Sequence, residues 1–219
     1  MKIDQLWADG PRFIQREPVF RIGTDAVLLA EFTDAKRAKS AADLGCGSGV
    51  LAILLARRSP KLLVDCLDIL PEAQMLTLEN AKLNGLEAQI RAQTLDIREI
   101  RGSFPAGTYD LVVSNPPYFP SNSGKRANKP QLANARDEAC CTLEDICAAA
   151  SYLLRWGGRF SLVHRPERLS ELFVAMVTQG IEPKRLRMVA SSPKGAPSLV
   201  LVEGKRGGAP GLLVSVSAP

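Results

Sequence analysis

Between residues 40 and 118 the chain alternates short apolar runs with longer stretches whose apolar positions recur at helical spacing. Residues 41–44 form one such run. Gly45, Gly47 and Gly49 then punctuate a turn, and the Ala- and Leu-rich Val50–Arg58 reads as a helix. Leu62–Leu67 is predicted as the next strand. Pro71 suits the first turn of a helix that keeps its apolar spacing to Leu83 and stops at Asn84-Gly85. Strands follow near Ala88–Ala92 and at Tyr109–Ser114. Farther on, Thr142 and Asp145 have capping-box spacing for a helix to Leu154, which Gly157-Gly158 end ahead of a strand at Arg159–Val163. A helix at Pro166–Gln179 and strands near Arg185–Val189 and Ser198–Val202 come next, and Gly204–Gly211 is expected to turn a hairpin near the C-terminus. Strands alternating with helices imply an α/β fold. The expected form is a doubly wound, mostly parallel sheet with helices on both faces and an antiparallel C-terminal hairpin.

One apolar run stops in an unusual way, at Asp110-Leu-Val-Val-Ser-Asn-Pro-Pro-Tyr-Phe119. Pro116 and Pro117 lack backbone N–H groups and restrict their neighbours, so a ladder through Leu111–Val113 cannot continue past Ser114. Asn115 and Tyr118 then project from a stiff corner at the carboxyl end of a strand, where open α/β sheets bind ligands. An ordinary strand-to-loop turn is the competing reading. Phe119–Cys141 follows without any periodic pattern, and loops of that length are usually functional or disordered.

A chain of 219 residues with 46% hydrophobic and 23% charged composition can bury one sizeable core, so residues 1–219 read as a single domain. Residues 1–40 would flank the site, and residues 119–141 would form a substrate loop. No apolar run reaches the roughly 18 residues of a membrane span, and Asp4 and Asp9 interrupt the start where a signal peptide is apolar. A cytoplasmic location without membrane contact is expected. The five cysteines, Cys46, Cys66, Cys140, Cys141 and Cys147, lack paired spacing, and His164 is the only histidine. No disulfide framework, no metal site and no His-dependent triad is expected from that set. The net charge of +5 is uneven: residues 155–219 hold ten Lys/Arg against four Asp/Glu, whereas residues 40–118 hold seven against nine. A basic surface beside an acidic pocket suits a polyanion outside and a cationic small molecule inside, with a merely solvated surface as the alternative.

Asp43-Leu-Gly-Cys-Gly-Ser-Gly49 lies between a predicted strand and a predicted helix. Glycines there permit positive φ and remove Cβ atoms that would keep a ligand off the backbone. The spacing Gly-x-Gly-x-Gly departs from the dinucleotide pattern, and no Gly-Lys-Ser/Thr follows as in a phosphate loop. Asp43 would repel phosphates but welcome an amino group or sulfonium. Asp68, about 20 residues beyond the glycines, is placed to accept from ribose hydroxyls, and Asp96 suits an adenine amino group. Each acid has a plainer reading as a cap or a solvated loop residue. Thr24 and Asp25 are read either as lining the same pocket or, for Thr24, as capping a helix at Ala26–Phe32.

These motifs together resemble the class I S-adenosylmethionine-dependent methyltransferases, with a Rossmann-like fold. The resemblance rests on Asp43–Gly49, Asp68, Asp96 and Asn115-Pro-Pro-Tyr118. Arg21-Ile-Gly-Thr-Asp-Ala-Val-Leu-Leu-Ala30, Ala135-Arg-Asp-Glu138 and Leu199–Gly208 narrow it to the bacterial tRNA adenine-N6 methyltransferases that act beside the anticodon of a valine tRNA. The resemblance implies S-adenosyl-L-methionine as cofactor, held by Thr24, Asp43, Gly45, Gly47, Gly49, Asp68, Ile69, Asp96, Ile97 and Asn115, with Asn115, Pro116, Pro117 and Tyr118 as the catalytic corner. It implies N6-methylation of adenine in tRNA. Tyr118 and Phe119 would stack on the base, while Lys125, Arg126, Lys129 and Arg136 of the long loop, joined by Lys184, Arg185, Arg187, Lys194, Lys205 and Arg206, would meet phosphates. The partner is RNA, with no membrane and no metal, and the protein is expected to act as a monomer. A protein glutamine methyltransferase and an idle RNA-binding protein of the same fold are the alternatives.

Overall fold

The computed structural model describes residues 2–15, 22–116, 141–190, 192 and 195–217. Two short strands, β1 (Lys2–Gln5) and β2 (Arg12–Gln15), pair antiparallel at the start. Four-residue strands carry too little alternation to announce themselves, and the sequence pattern does not predict this ribbon. Helix α1 (Thr24–Phe32) leads to β3 (Ser40–Leu44), α2 (Val50–Arg58), β4 (Leu63–Asp68), α3 (Pro71–Leu83) and β5 (Ile90–Thr94). A short helix α4 (Ile100–Ser103) precedes β6 (Tyr109–Ser114). Helix α5 (Leu143–Leu153) runs directly into β7 (Leu154–His164); α6 (Leu169–Thr178), β8 (Ile181–Ala190), β9 (Pro197–Arg206) and β10 (Leu213–Ser217) follow.

The described residues place eight strands in one sheet of order β10-β8-β9-β7-β6-β3-β4-β5. Strands β3 to β7 are mutually parallel, and β9 opposes both β7 and β8. Ala41 of β3 packs with Phe13, α1 and α2 on one face, whereas Ala42 and Leu44 pack with Ile100, α5 and α6 on the other. That period-two split between two apolar layers is the physical content of the α/β expectation.

Several boundaries differ from the expected ones, each for a local reason. Leu86 accepts from the Gln89 and Ile90 N–H groups at 2.9 and 3.0 Å, so a turn occupies 86–89 and β5 begins two residues late. Gly157-Gly158 do not end a helix. Leu154 already pairs with Tyr109, Leu111 next pairs with Arg159, and residues 155–158 bulge out of the ladder with Gly157 at φ 80°. The antiparallel hairpin exists, but it joins β8 to β9. Gly204–Arg206 belong to β9, and the glycine-rich segment beyond them hops over the start of β8 so that β10 pairs with β8 in parallel. Two contacts hold that crossing: Gly207 N–H to Gly180 O at 2.9 Å and Lys184 Nζ to Ala209 O at 2.9 Å. Pro166–Arg168 form a 3-10 turn ahead of α6 instead of its first turn. Gly23, not Thr24, occupies the N-cap of α1, without a side-chain cap.

Candidate active site

Strand order reverses between β3 and β6: β4 and β5 continue on one side of β3, and the chain returns to its other side for β6. Ligand crevices of open α/β sheets form at such a point, beyond the carboxyl ends of the strands. Leu44 and Ser114 are partners in the parallel ladder, and the Ser114 hydroxyl donates to Leu44 O at 2.8 Å. The residues that follow, Gly45 and Asn115, therefore leave the sheet side by side, on strands about 4.8 Å apart. Asn115 is half-buried and Pro116 buried. Asp68 ends β4 on the far side of β3. The corner and the glycine turn, 70 residues apart in sequence, share one rim.

The turn is built from left-handed glycines, with φ 74° at Gly45, 56° at Gly47 and 77° at Gly49. A Cβ at Gly49 would lie 2.9 Å from the Thr77 methyl, so packing as well as φ demands glycine. A Cβ at Gly45 would meet nothing within 4 Å, which leaves open space over the backbone there. Beneath, the N–H groups of Gly45 and Cys46 donate to Leu67 O at 2.8 and 3.1 Å, and Gly47 N–H donates to Asp68 Oδ2 at 2.9 Å. Helix α3 supplies the other supports. Thr77 Oγ1 donates to Gly47 O at 3.2 Å, and buried Asn80 donates to Ser48 O at 3.0 Å while accepting Ile14 N–H at 2.7 Å. Sequence reasoning missed Thr77 and Asn80. Their signal was two polar residues three apart on a helix face otherwise filled by Ala73, Leu76 and Ala81.

The electrostatics of this rim select for a cation. Asp43 is fully buried, and neither of its carboxylate oxygens finds a hydrogen-bond partner among the described residues. Burial and the nearby Asp68 charge push its carboxyl up to about 7, opposed only by the Ala52 N–H on α2, which lies near it without reaching hydrogen-bond geometry. Burial likewise raises the Asp68 carboxyl, against the N–H groups of Leu70, Gly47 and Ile69. A buried acid beside a half-buried one, without a neutralising cation, is costly, and a bound ammonium or sulfonium relieves that cost.

The remaining assigned residues divide. Thr24 and Asp25 begin α1, whose other end packs near Asp34 and its partner Arg159 low on β7, so the start of α1 points to the carboxyl rim. Ile69, 42% exposed, follows Asp68, and Ile97 opens the 3-10 turn after β5. Asp96 caps that turn through Arg98 N–H and pairs with the Arg98 guanidinium, which holds its carboxyl low. Pro117, Tyr118, Phe119, Lys125, Arg126, Lys129, Arg136 and Lys194 lie outside the described residues. Lys205 and Arg206 do not join this rim. β9 runs against β7, which pairs Lys205 with Arg159, and Arg206 donates to Leu154 O, at the amino ends of the strands. Arg185, half-buried, is engaged by Glu203 and Phe32 O.

The profile of the family described as "Methyltransferase small domain" matches residues 18–179. This chain belongs to that family. It is 33% identical over 189 residues to the tRNA1(Val) (adenine(37)-N6)-methyltransferase of Porphyromonas gingivalis, covering 84% of this chain and 73% of that protein. In fold it resembles an Agrobacterium tumefaciens protein described as a predicted O-methyltransferase, with a TM-score of 0.70 at 23% identity over 89% of this chain and 86% of that one. It also resembles geranyl diphosphate methyltransferase solved in complex with SAM, with a TM-score of 0.61 at 15% identity over 84% of each chain. The rim of this member of the family fits the cofactor of such enzymes on its own chemistry. Asp43 has two unpartnered oxygens for a cationic ligand, Gly45 leaves backbone open to close approach, and each Asp68 oxygen retains a lone pair beyond its N–H contact. Among the described residues no cluster of three or more His, Cys, Asp or Glu could hold a metal, and no helix is long and apolar enough to cross a membrane.

Proposed function

We propose that this methyltransferase acts on the exocyclic N6 of an adenine in tRNA, at the anticodon-loop position named for its relatives, adenine 37 of a valine tRNA. The observation that carries the reading is the adjacency of Asn115 to the glycine turn across the point of strand reversal. S-adenosylmethionine is the methyl donor, and it supplies an electrophilic methyl on a sulfonium. What the chain must add is a way to make a conjugated amine nucleophilic. The Asn115 side-chain carbonyl and the Pro116 backbone carbonyl accept the two N–H bonds of the amine, which draws the nitrogen towards tetrahedral geometry and turns its lone pair to the methyl group. Pro116 and Pro117 keep these acceptors rigid, so the contribution is chiefly one of position. The proton becomes acidic once the methyl has moved, which spares the site a strong base. His164, the one histidine of the chain, is buried low-pKa structure in β7.

Tyr118 or Phe119 would stack on the flipped base, at roughly 1–3 kcal/mol per base, and Lys125, Arg126, Lys129 and Arg136 would meet phosphates close by. The test is incubation with methyl-labelled cofactor and separate pools of total tRNA, ribosomal RNA and release factor. Label in tRNA supports the reading; label entering only protein overturns it in favour of glutamine methylation.

A further inference from the structure

Opposite the catalytic rim, the amino ends of the strands carry a different surface. Trp156 is 75% exposed, the most exposed large hydrophobic residue among those described. It stands in the 155–158 bulge of β7, and its six-membered ring rests on the backbone of Gly207, where a Cβ would fall 2.2 Å from the ring. Gly207 takes φ 65°, so the seat is made for a bare backbone. Around the indole lie Arg155, Lys205 and Arg206. A Cβ at Gly157 would sit 3.7 Å from Lys205 Cε and 4.0 Å from Arg155 Nη1. Arg155 is paired with Asp110 at 2.6 Å, and Arg206 is anchored on Leu154 O. Lys205 is exposed and has no ion pair among the described residues, although Glu182 faces it across the ladder. The neighbouring loop after α1, held to β7 by the Asp34–Arg159 pair, adds exposed Lys36 and Arg37.

The two rims differ in charge. At the carboxyl rim Asp25 and Asp68 stand beside a buried Asp43 and an Asp96 paired with Arg98, whereas at the amino rim Asp110 and Asp34 are taken up by Arg155 and Arg159 and exposed Lys36, Arg37 and Lys205 surround a held but open aromatic face. Six strand residues separate Asn115 from the level of Tyr109 and Leu154, about 20 Å at 3.3 Å per residue. An aromatic face with flanking cations is the chemistry that single-stranded nucleic acid uses: bases stack, and lysine and arginine meet the backbone. We infer that the Trp156–Lys205 patch is a second RNA-contact surface, which grips the tRNA at a distance from the methylated base. The inference rests on the tRNA reading above. It also gives Lys205 and Arg206 a place in RNA binding that the catalytic rim does not.

The experiment compares the parent with Trp156→Ala, Lys205→Gln and, as a control for loss of an exposed indole elsewhere, Trp7→Ala. Affinity for tRNA is measured by fluorescence anisotropy over a salt series, and affinity for S-adenosylmethionine by calorimetry. Trp156→Ala is expected to weaken tRNA binding roughly 5- to 150-fold, as for the loss of one stacked base, with cofactor affinity and melting temperature unchanged. Lys205→Gln is expected to lower the slope of log K against log salt by about 1. Trp7→Ala is expected to leave tRNA affinity at the parental value. Parental affinity and salt slope in both patch variants would overturn the patch while leaving the tRNA reading intact; a parent protein that binds no tRNA at all overturns both.

Discussion

The Ser114 hydroxyl donates to the Leu44 carbonyl at 2.8 Å, and so joins the strand that ends in Asn115 to the strand that enters the glycine turn. The bond is buried, and it sets the relative height of the two loops that, in the proposed function, face the cofactor and the base. Ser114→Ala would leave the Leu44 carbonyl without this partner, at about 1–3 kcal/mol. The expected result is a lower melting temperature together with a fall in turnover larger than the fall in cofactor affinity. Thermal melts, calorimetry and single-turnover assays on one preparation separate the three quantities.

Asp43 makes stability depend on pH in an unusual direction. Its folded carboxyl titrates at about 7, above the value near 3.9 of an unfolded chain. Between those limits the native state binds more protons than the unfolded state, so stability falls as pH rises from about 4 to about 7 and levels off above. Asp43→Asn removes that dependence. Without cofactor and above pH 7 the variant is expected to melt several degrees higher than the parent, at about 2–4 °C per kcal/mol. Melting curves at pH 5, 6, 7 and 8 check this, and identical pH profiles for parent and variant would refute it.

The same group links pH to cofactor binding. A cation favours the ionised carboxylate, so binding must expel the proton that Asp43 holds below pH 7. Affinity for S-adenosylmethionine is expected to weaken as pH falls from 7 to 5, and calorimetry in buffers of different ionisation enthalpy should register proton release. Asp43→Asn is expected to bind weakly at every pH without that slope.

The glycines of the turn should fail in different ways. Gly49→Ala places a methyl 2.9 Å from Thr77 at φ 77°, and its main expected effect is on folding, about 1–2 kcal/mol for the backbone plus the clash. Gly45→Ala pays the backbone term alone, because its Cβ points into open space. Its larger effect should be on cofactor affinity, since the proposed function has the ligand approach through that space. A side-by-side melt and titration of the two variants distinguishes them.

Asn80 supports the turn from α3 and ties the N-terminal ribbon to it. Asn80→Ala leaves Ile14 N–H and Ser48 O without these partners in a buried site, at about 2–6 kcal/mol in all. Chemical denaturation should show that loss, and the affinity for cofactor should fall with it, although Asn80 lies under the turn and not at its surface.

Helices Val50–Arg58 and Pro71–Leu83 were legible to the residue because their ends are decided locally, by left-handed Gly49 before one and by Pro71 and Asn84-Gly85 around the other. The capping box of Thr142 and Asp145 was legible for the same reason and forms in both directions. Pairing was not. The parallel seat of β10 beside β8 depends on a crossing held by Lys184 and Gly207, contacts that no local pattern encodes. Gly157 misled because a left-handed glycine serves a bulge as well as a helix end. The place of Asp43, Asp68 and the glycines at the strand ends and the start of α2 was legible from their order along the chain. Thr77 and Asn80 were hidden because a polar residue on a helix reads as solvated until its burial is seen.

The proposed activity depends above all on the corner at Asn115, and nucleoside analysis of tRNA treated with the parent and with Asn115→Ala tests it most directly. The parent should produce N6-methyladenosine in tRNA, and the variant should bind S-adenosylmethionine while forming that nucleoside roughly 100- to 1,000-fold more slowly. N6-methyladenosine formed at the parental rate by Asn115→Ala, or a methyl group found by mass spectrometry on another atom of the RNA, would contradict the account.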